Sequence, residues 1–253
     1  MAKSNRGTFF LLALALGCAV ATPWAKAGQF SVSPVRIFMA PQDRAVAVTL
    51  VNEGDSELVM QSDVYLWRQK PGGEDDLQMS EDLFLSPPIV KLAPKAKQVV
   101  RLAMVKPPKA GPQQTYRLLV REVPEALKSE KDLKVQIALA FSLPVFITPP
   151  GAQREVACTL ARAGAAEAKV SCANSGTAYA QIREMLLSSA SGERLAARDI
   201  GGYILPGITR EYELKAATPA AGNTQVKWQS GKAKLSVTYD DGASQTFDVA
   251  LGD

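Results

Sequence analysis

The sequence contains no histidine. That removes the commonest general base and the commonest metal ligand, and with them Ser-His-Asp and Cys-His catalysis. No glycine-rich phosphate loop follows a strand and opens a helix. The expectation is a non-enzymatic protein with no cofactor and no metal. Long apolar runs are missing beyond the first residues, so no later segment reads as a membrane span. A strong charge of one sign is missing too. Lys and Arg number 29 against 25 Asp and Glu, which indicates neither nucleic acid nor an anionic membrane as partner.

What is present begins with an export signal. Lys3 and Arg6 form a positive start, Phe9 to Val20 an apolar run, and Ala25-Lys26-Ala27 a small-residue cleavage site before Gly28. This is the order a signal peptidase reads. The run is much shorter than the roughly 20 residues a transmembrane helix needs. Leu16-Gly17-Cys18 has a small residue before cysteine, as lipoprotein signals do, but Ala15 stands where those signals usually carry leucine. Residues 1–27 are therefore read as a cleaved signal peptide, with Cys18 lost in it. Cleavage also removes Lys3, Arg6 and Lys26, which brings the mature chain close to neutrality. Cys158 and Cys172 remain. An even pair in an exported protein is expected to form a disulfide, and closing a loop of about 15 residues contributes roughly 3 kcal/mol in the chain-entropy model. A redox-active pair would normally be spaced C-x-x-C.

Short apolar segments with period-2 alternation recur along the chain, punctuated by Gly, Pro, Asn and Asp, and long helical stripes are missing. This predicts strands over Val46 to Val51, Leu58 to Trp67, Val99 to Val105 and Tyr116 to Val123. Lys106 to Pro112 reads as a loop, and Lys70 to Asp76 as a polar, flexible hairpin loop without function. Pro149-Pro150-Gly151 cannot continue a ladder and marks a domain boundary. Strands resume at Val156 to Leu160, Ala168 to Cys172, Ile182 to Leu187, Glu211 to Leu214, Thr224 to Trp228, Leu235 to Tyr239 and Thr246 to Ala250. Asn174-Ser175-Gly176 and Asp240-Asp241-Gly242 read as turns. The division expected is a signal peptide over 1–27, a domain over 28–148 and a second over 149–253, each the size of one β-sandwich. Trp67 and Trp228 are expected in the cores.

The longest alternating segment lies at the end of the first domain. Leu133, Val135, Ile137, Leu139 and Phe141 share one parity, while Lys134, Gln136, Ala138, Ala140 and Ser142 hold the other. On a strand the apolar row points to one face. Periodicity alone is met by a strand filling its own core. It is met equally by an edge strand that offers its row to a partner, and such edges are usually blunted because they aggregate.

Several motifs in order give this segment a context: Ser33-Pro34-Val35-Arg36-Ile37 as an opening strand, Val48-Thr49-Leu50-Val51-Asn52-Glu53-Gly54, Phe84-Leu85-Ser86-Pro87-Pro88, Leu92-Ala93-Pro94, Val99-Val100-Arg101-Leu102, and Tyr116 to Pro124 before the alternating strand. In this order and spacing the chain resembles the periplasmic chaperones of the chaperone–usher pilus pathway, strongly in the first domain and weakly in the second. The resemblance implies an all-β protein of two immunoglobulin-like β-sandwich domains set at an angle. It implies pilus or fimbrial subunits and an outer-membrane usher as partners, a periplasmic location, and no membrane insertion of the mature chain. It further implies donor-strand complementation, in which the chaperone pairs its own strand with a client that lacks one. Leu133, Val135, Ile137, Leu139 and Phe141 are the donor residues it suggests.

The family also anchors the client's C-terminal carboxylate with two basic residues. Arg36 matches the first, and a guanidinium can bind a carboxylate through two parallel hydrogen bonds. The position of the second, a lysine in the family, is Pro144 here, as in non-classical branches with a Ser-Leu-Pro-Val-Phe ending. Arg101, Arg117 and Arg121 are candidates, with Arg101 preferred. The alternative to a chaperone is an exported immunoglobulin-like structural or adhesive module, which would share the fold but lack an exposed apolar row.

Overall fold

The computed structural model describes residues 30–108, 110–124, 138–163, 167–216 and 231–251. The signal segment, the strand expected at Thr224 to Trp228, and Leu133, Val135 and Ile137 lie outside the described residues. Within them the chain forms seventeen strands and no helix.

Two sheets face each other in the first half. One has the order β1 (Phe30–Ser33), β3 (Ala45–Asn52), β8 (Lys97–Met104), β6 (Leu83–Ser86). The other runs β2 (Ile37–Met39), β10 (Ala140–Ile147), β9 (Gln114–Glu122), β4 (Leu58–Gln69), β5 (Asp75–Met79), and β7 (Ile89–Leu92) pairs the first part of β4. Alternation sets the core. Val48 and Leu50, Met60 and Val64, Val100 and Leu102, Leu118 and Val120, and Leu143 and Val145 come from the inner faces and are buried together. The opening strand is not one element. β1 pairs with β3 and β2 with β10, so the chain changes sheets between Ser33 and Ile37. Pro34 and the exposed Val35 occupy the crossing, where no ladder is needed.

The second half is a single antiparallel array, β11 (Val156–Ala163), β12 (Glu167–Asn174), β15 (Thr209–Ala216), β14 (Arg194–Ile204), β13 (Ala180–Ser189), β16 (Gly231–Tyr239), β17 (Ser244–Leu251). It folds over its own core of Val170, Ile182, Met185, Leu187, Tyr212, Leu214, Leu235 and Val237. Gln245 Nε2 donates to the Val156 carbonyl at 3.3 Å, which links the two end strands. Cys158 and Cys172 are cross-strand partners on β11 and β12 and form a disulfide. Both halves are immunoglobulin-like β-sandwiches.

One polar residue does the same work in each half. Asn52, at the end of β3, donates to the carbonyls of Ser56, Leu92 and Ala93, and its Oδ1 accepts from Gly54 N–H. Asn174, at the end of β12, donates to Ala178 and Ile204 and accepts from Glu155 and Gly176. Both side chains are buried. Gly176 is required beside it, because a Cβ there would lie 2.4 Å from the Gln153 carbonyl oxygen and the Glu155 nitrogen. Replacing either asparagine by alanine leaves several buried backbone groups unpaired. Asn52→Ala and Asn174→Ala are each expected to lower unfolding free energy by about 3 kcal/mol, read by urea denaturation.

Candidate functional site between the two sandwiches

The outer face of the β2–β10–β9–β4–β5 sheet carries the parity that its core does not use. Phe38 (β2), Phe146 (β10), Thr115 (β9) and Trp67 (β4) stand in one row across it, fixed by the registers Phe146↔Phe38 and Phe146↔Thr115. The second sandwich packs on that row. Phe146 stacks on Tyr179 with centroids 4.1 Å apart and planes at 16°, and on Phe38 at 5.5 Å. Trp67 meets Tyr203 edge-on at 5.1 Å. Trp67, Phe146 and Leu205 form a buried cluster with Tyr179, Tyr203 and Ile208 around it, separate from either core. Aromatic pairs of this kind contribute about 0.5 to 1.5 kcal/mol each beyond their area. Trp67 is thus buried as expected, but between the sandwiches rather than in a core.

Two buried glutamines flank the stack. Gln69 accepts from Leu205 N–H at 3.0 Å and donates to the Tyr203 carbonyl at 3.2 Å. Gln113 accepts from Tyr179 N–H at 2.9 Å, donates to Thr148 at 2.7 Å, and its own N–H bonds to the Thr177 carbonyl. Each satisfies main-chain groups that the packing takes from water. The hairpin loop after Gln69 also docks. Gly72 N–H donates to the Thr209 carbonyl at 3.2 Å and bridges to Arg210. Gly73 lies so close that a Cβ there would meet the Arg210 side chain at 2.6 Å. The loop read from sequence as flexible and without function is a contact between the sandwiches.

Two arginines converge at Tyr203. Arg36 precedes β2. It forms an ion pair with Asp240 and donates to Tyr179 Oη at 3.2 Å and to Gln181 Oε1 at 2.8 Å. Burial pulls the guanidinium pKa down, but Tyr203, Tyr179 and Asp240 outweigh it and hold it above its ordinary value. Burial, reinforced by Asp240, pushes Tyr179 up to about 12 against the opposing pull of Arg36. Arg117 on β9 lies over the Trp67 ring at 3.7 Å and 5.5 Å from the Tyr203 ring, with Asp75 at 3.8 Å. Burial lowers its pKa, opposed by Asp75 and Tyr203.

The sequence-predicted residues fall as follows. Arg36 faces the second sandwich. Arg101 is not brought to it: β8 belongs to the other sheet, and Arg101, in register with Ala47 and Ser86, is exposed on that sheet's outer face. Pro144 is the cross-strand partner of Arg117. Arg121 is engaged by Asp63 at 2.8 Å. Leu139 packs against the first core, while Phe141 is 38% exposed and meets Phe30 edge-on at 4.9 Å. β10 pairs with β9 over its whole length but with β2 only from Val145 to Ile147. Among the described residues its other edge has no strand partner from Ala140 to Pro144. Gln69, Gln113, Tyr179, Tyr203 and Asp240 were not found by sequence reasoning. One signal existed, since Trp67 shares the parity of Gln61 and Asp63, the polar side of β4.

A strand with one open edge, set beside an aromatic seam and a basic cluster where two sandwiches meet, defines a class of two-domain β-sandwich protein. Comparison with known proteins gives the class its name. Residues 29–153 match the family model of the pili and flagellar-assembly chaperone, PapD N-terminal domain. This match places residues 29–153, the first domain, in that chaperone family. Curated protein sequences contain no match. Among solved structures, a chain of the CsuC–CsuE chaperone–tip adhesion subunit pre-assembly complex from the archaic Csu pili of Acinetobacter baumannii is similar at 18% identity and TM-score 0.61, covering 89% of this chain and 100% of that one. The Escherichia coli chaperone DraB is similar at 18% identity and TM-score 0.58, covering 90% and 98%. The Pseudomonas aeruginosa chaperone CupB2 is similar at 16% identity and TM-score 0.54, covering 88% and 100%. At these identities the likeness is one of fold.

The seam has a direct test. Gln69→Leu keeps the size of the side chain but leaves the Leu205 N–H without its acceptor and the Tyr203 carbonyl with Arg210 as its remaining donor. It is expected to cost about 2 kcal/mol and to shift Trp67 emission to longer wavelength as water reaches the stack. Gln69→Glu, which can still accept from Leu205 but sets a buried carboxylate against the Tyr203 carbonyl and the Asp75 carboxylate, is expected to lose at least as much.

Proposed function

We propose that this protein is a periplasmic chaperone that holds pilus or fimbrial subunits by donor-strand complementation and passes them to an outer-membrane usher. The observation that carries the reading is the open edge of β10 from Ala140 to Pro144. An unpaired edge is normally blunted, because its free N–H and C=O groups template pairing with another chain. Here it leads directly back into the alternating segment from Leu133. Membership of the chaperone family supports the use of that edge for a client. In the neighbour CsuC–CsuE, a chaperone is bound to a tip adhesion subunit, which is the kind of complex proposed here.

On this reading residues 28–148 form the domain that presents the strand, and residues 149–253 the domain that closes the cleft. Residues 1–27 are the signal peptide that takes the chain to the periplasm. The odd parity of the long segment serves two ends. Leu143, Val145 and Ile147, with Leu139 beside them, fill the chaperone's own core. Leu133, Val135, Ile137 and Phe141 are left for the client's groove. Each such side chain contributes roughly 1.5 to 3 kcal/mol gross when buried, and ordering and rigid-body losses remove much of it. Arg36 anchors the client's terminal carboxylate, and Arg117, opposite Pro144, takes the second place in preference to Arg101. Binding and release need no bond chemistry, so no enzymatic activity is assigned.

The competing reading, an exported immunoglobulin-like structural or adhesive module, has no use for an open edge. Refolding a denatured pilin subunit in the presence of the chaperone separates the two. The wild-type chain is expected to give a soluble one-to-one complex by gel filtration. Val135→Glu with Ile137→Glu is expected to abolish it while leaving the melting temperature unchanged. A complex that survives both substitutions rules out the donor-strand assignment.

A further inference from the structure

The guanidinium assigned to the client's carboxylate already holds a carboxylate from its own chain. Arg36 Nη1 is paired with Asp240 Oδ2 and also donates to Tyr179, and Nη2 donates to Gln181. A guanidinium has only five N–H donors, and a carboxylate held in the bidentate mode needs two adjacent ones. Asp240 and Tyr179 take both Nη1 protons, so the Nη1–Nη2 end of the guanidinium can receive a carboxylate only by exchange. A carboxylate arriving at that end takes the place of a present partner, and Asp240 is the partner of the same chemistry.

Asp240 is well placed to leave. Its carboxylate is 14% exposed and accepts also from Tyr179 Oη at 3.3 Å, but the turn between β16 and β17 that carries it is braced without it. Arg154 pairs bidentately with the neighbouring Asp241 at 2.8 and 3.3 Å and lies over the Tyr239 ring at 4.2 Å. Gly242 N–H and Tyr239 N–H close the turn through the Tyr239 and Ala243 carbonyls. Arg154 holds the Asp241 carboxyl below the usual carboxylate range. The turn thus keeps its shape whether or not Asp240 is engaged, and Tyr179 and Gln181 keep Arg36 oriented.

We infer that Asp240 is a built-in stand-in for the client's C-terminal carboxylate: an exchangeable latch across the two sandwiches that covers Arg36 until a client's terminus displaces it. The inference rests on Arg36 being the carboxylate anchor. The latch neutralises a half-buried cation in the free protein and ties the β1–β2 crossing to the second sandwich. It also selects for a ligand that can replace a carboxylate, which a neutral or amidated terminus cannot do.

The test uses N-acetyl-alanyl-alanine as free acid and as its amide, titrated into the full mature chain and followed by NMR of the Arg36 side-chain nitrogens. Asp240→Asn is expected to bind the free acid about fivefold more tightly than wild type, the scale of a partly exposed ion pair. The amide is expected to bind neither. Asp248→Asn, the same charge change on exposed β17, is expected to behave as wild type. Weaker binding in Asp240→Asn would make Asp240 a support for Arg36 and overturn the latch. Equal binding of acid and amide, or an equal gain in Asp248→Asn, would overturn it as well. Asp240→Ala with an unchanged melting temperature repeats the result without a residual amide contact. The pilin refolding assay reads the donor strand independently, so a chain that forms the pilin complex but shows no acid preference disproves the latch and leaves the chaperone reading standing.

Discussion

Everything that distinguishes this chain from two tethered sandwiches depends on Phe146. Its strand, β10, faces the first core with one parity and the second sandwich with the other. Phe146 is fully buried although it points away from its own core. The stack on Tyr179 and the neighbouring Trp67–Tyr203 contact fix where the second sandwich sits. The seam is not only apolar. Removing water from it would strand the Leu205 and Tyr179 N–H groups, and Gln69 and Gln113 prevent that. An apolar stack alone tolerates sliding. Hydrogen bonds to named backbone groups do not, so the glutamines convert adhesion into a defined orientation.

That orientation brings the charged groups together. Arg36 comes from the corner where the chain changes sheets, Asp240 from a turn of the other sandwich, and Arg117 from the middle of β9. None is near another in sequence. Arg117 lies over the Trp67 ring, and the indole in turn packs edge-on against Tyr203. A planar, weakly hydrated guanidinium suits such a site where an ammonium would not, which accounts for an arginine across the ladder from Pro144.

The sequence made the sandwiches legible because each core strand alternates: Val48 and Leu50, or Leu118 and Val120, declare their faces without help from elsewhere. The paired cysteines were legible on other grounds, as an even pair in a chain that reads as exported. The opening strand was misjudged as continuous. Pro34 was visible, but a change of sheet depends on which partner each half finds. Arg101 was preferred over Arg117 because alternation says which side of a strand a residue takes, not which sheet that side belongs to. The seam was hidden for the same reason. Gln69, Tyr179 and Tyr203 acquire their roles only when two domains meet, and no periodicity records that. The one local clue, a tryptophan on the polar parity of β4, is the kind of exception that points to a second buried face.

β10 also explains how an exposed apolar edge is tolerated. β2 covers it only at Val145 to Ile147, and Pro144 stands where the cover ends. A proline has no N–H to offer, so the first open position presents a carbonyl but no donor. Phe141, further along, is not left bare but rests edge-on against Phe30. The edge is thus blunted at Pro144, partly covered at Phe141, and anchored by the alternate positions Leu143, Val145 and Ile147 in the core. A strand held so firmly at one end loses little further freedom when a partner pairs with the other, which is the condition under which main-chain pairing gives useful affinity. The features that make β10 safe as an edge are therefore the same ones that would make it effective as a strand on loan.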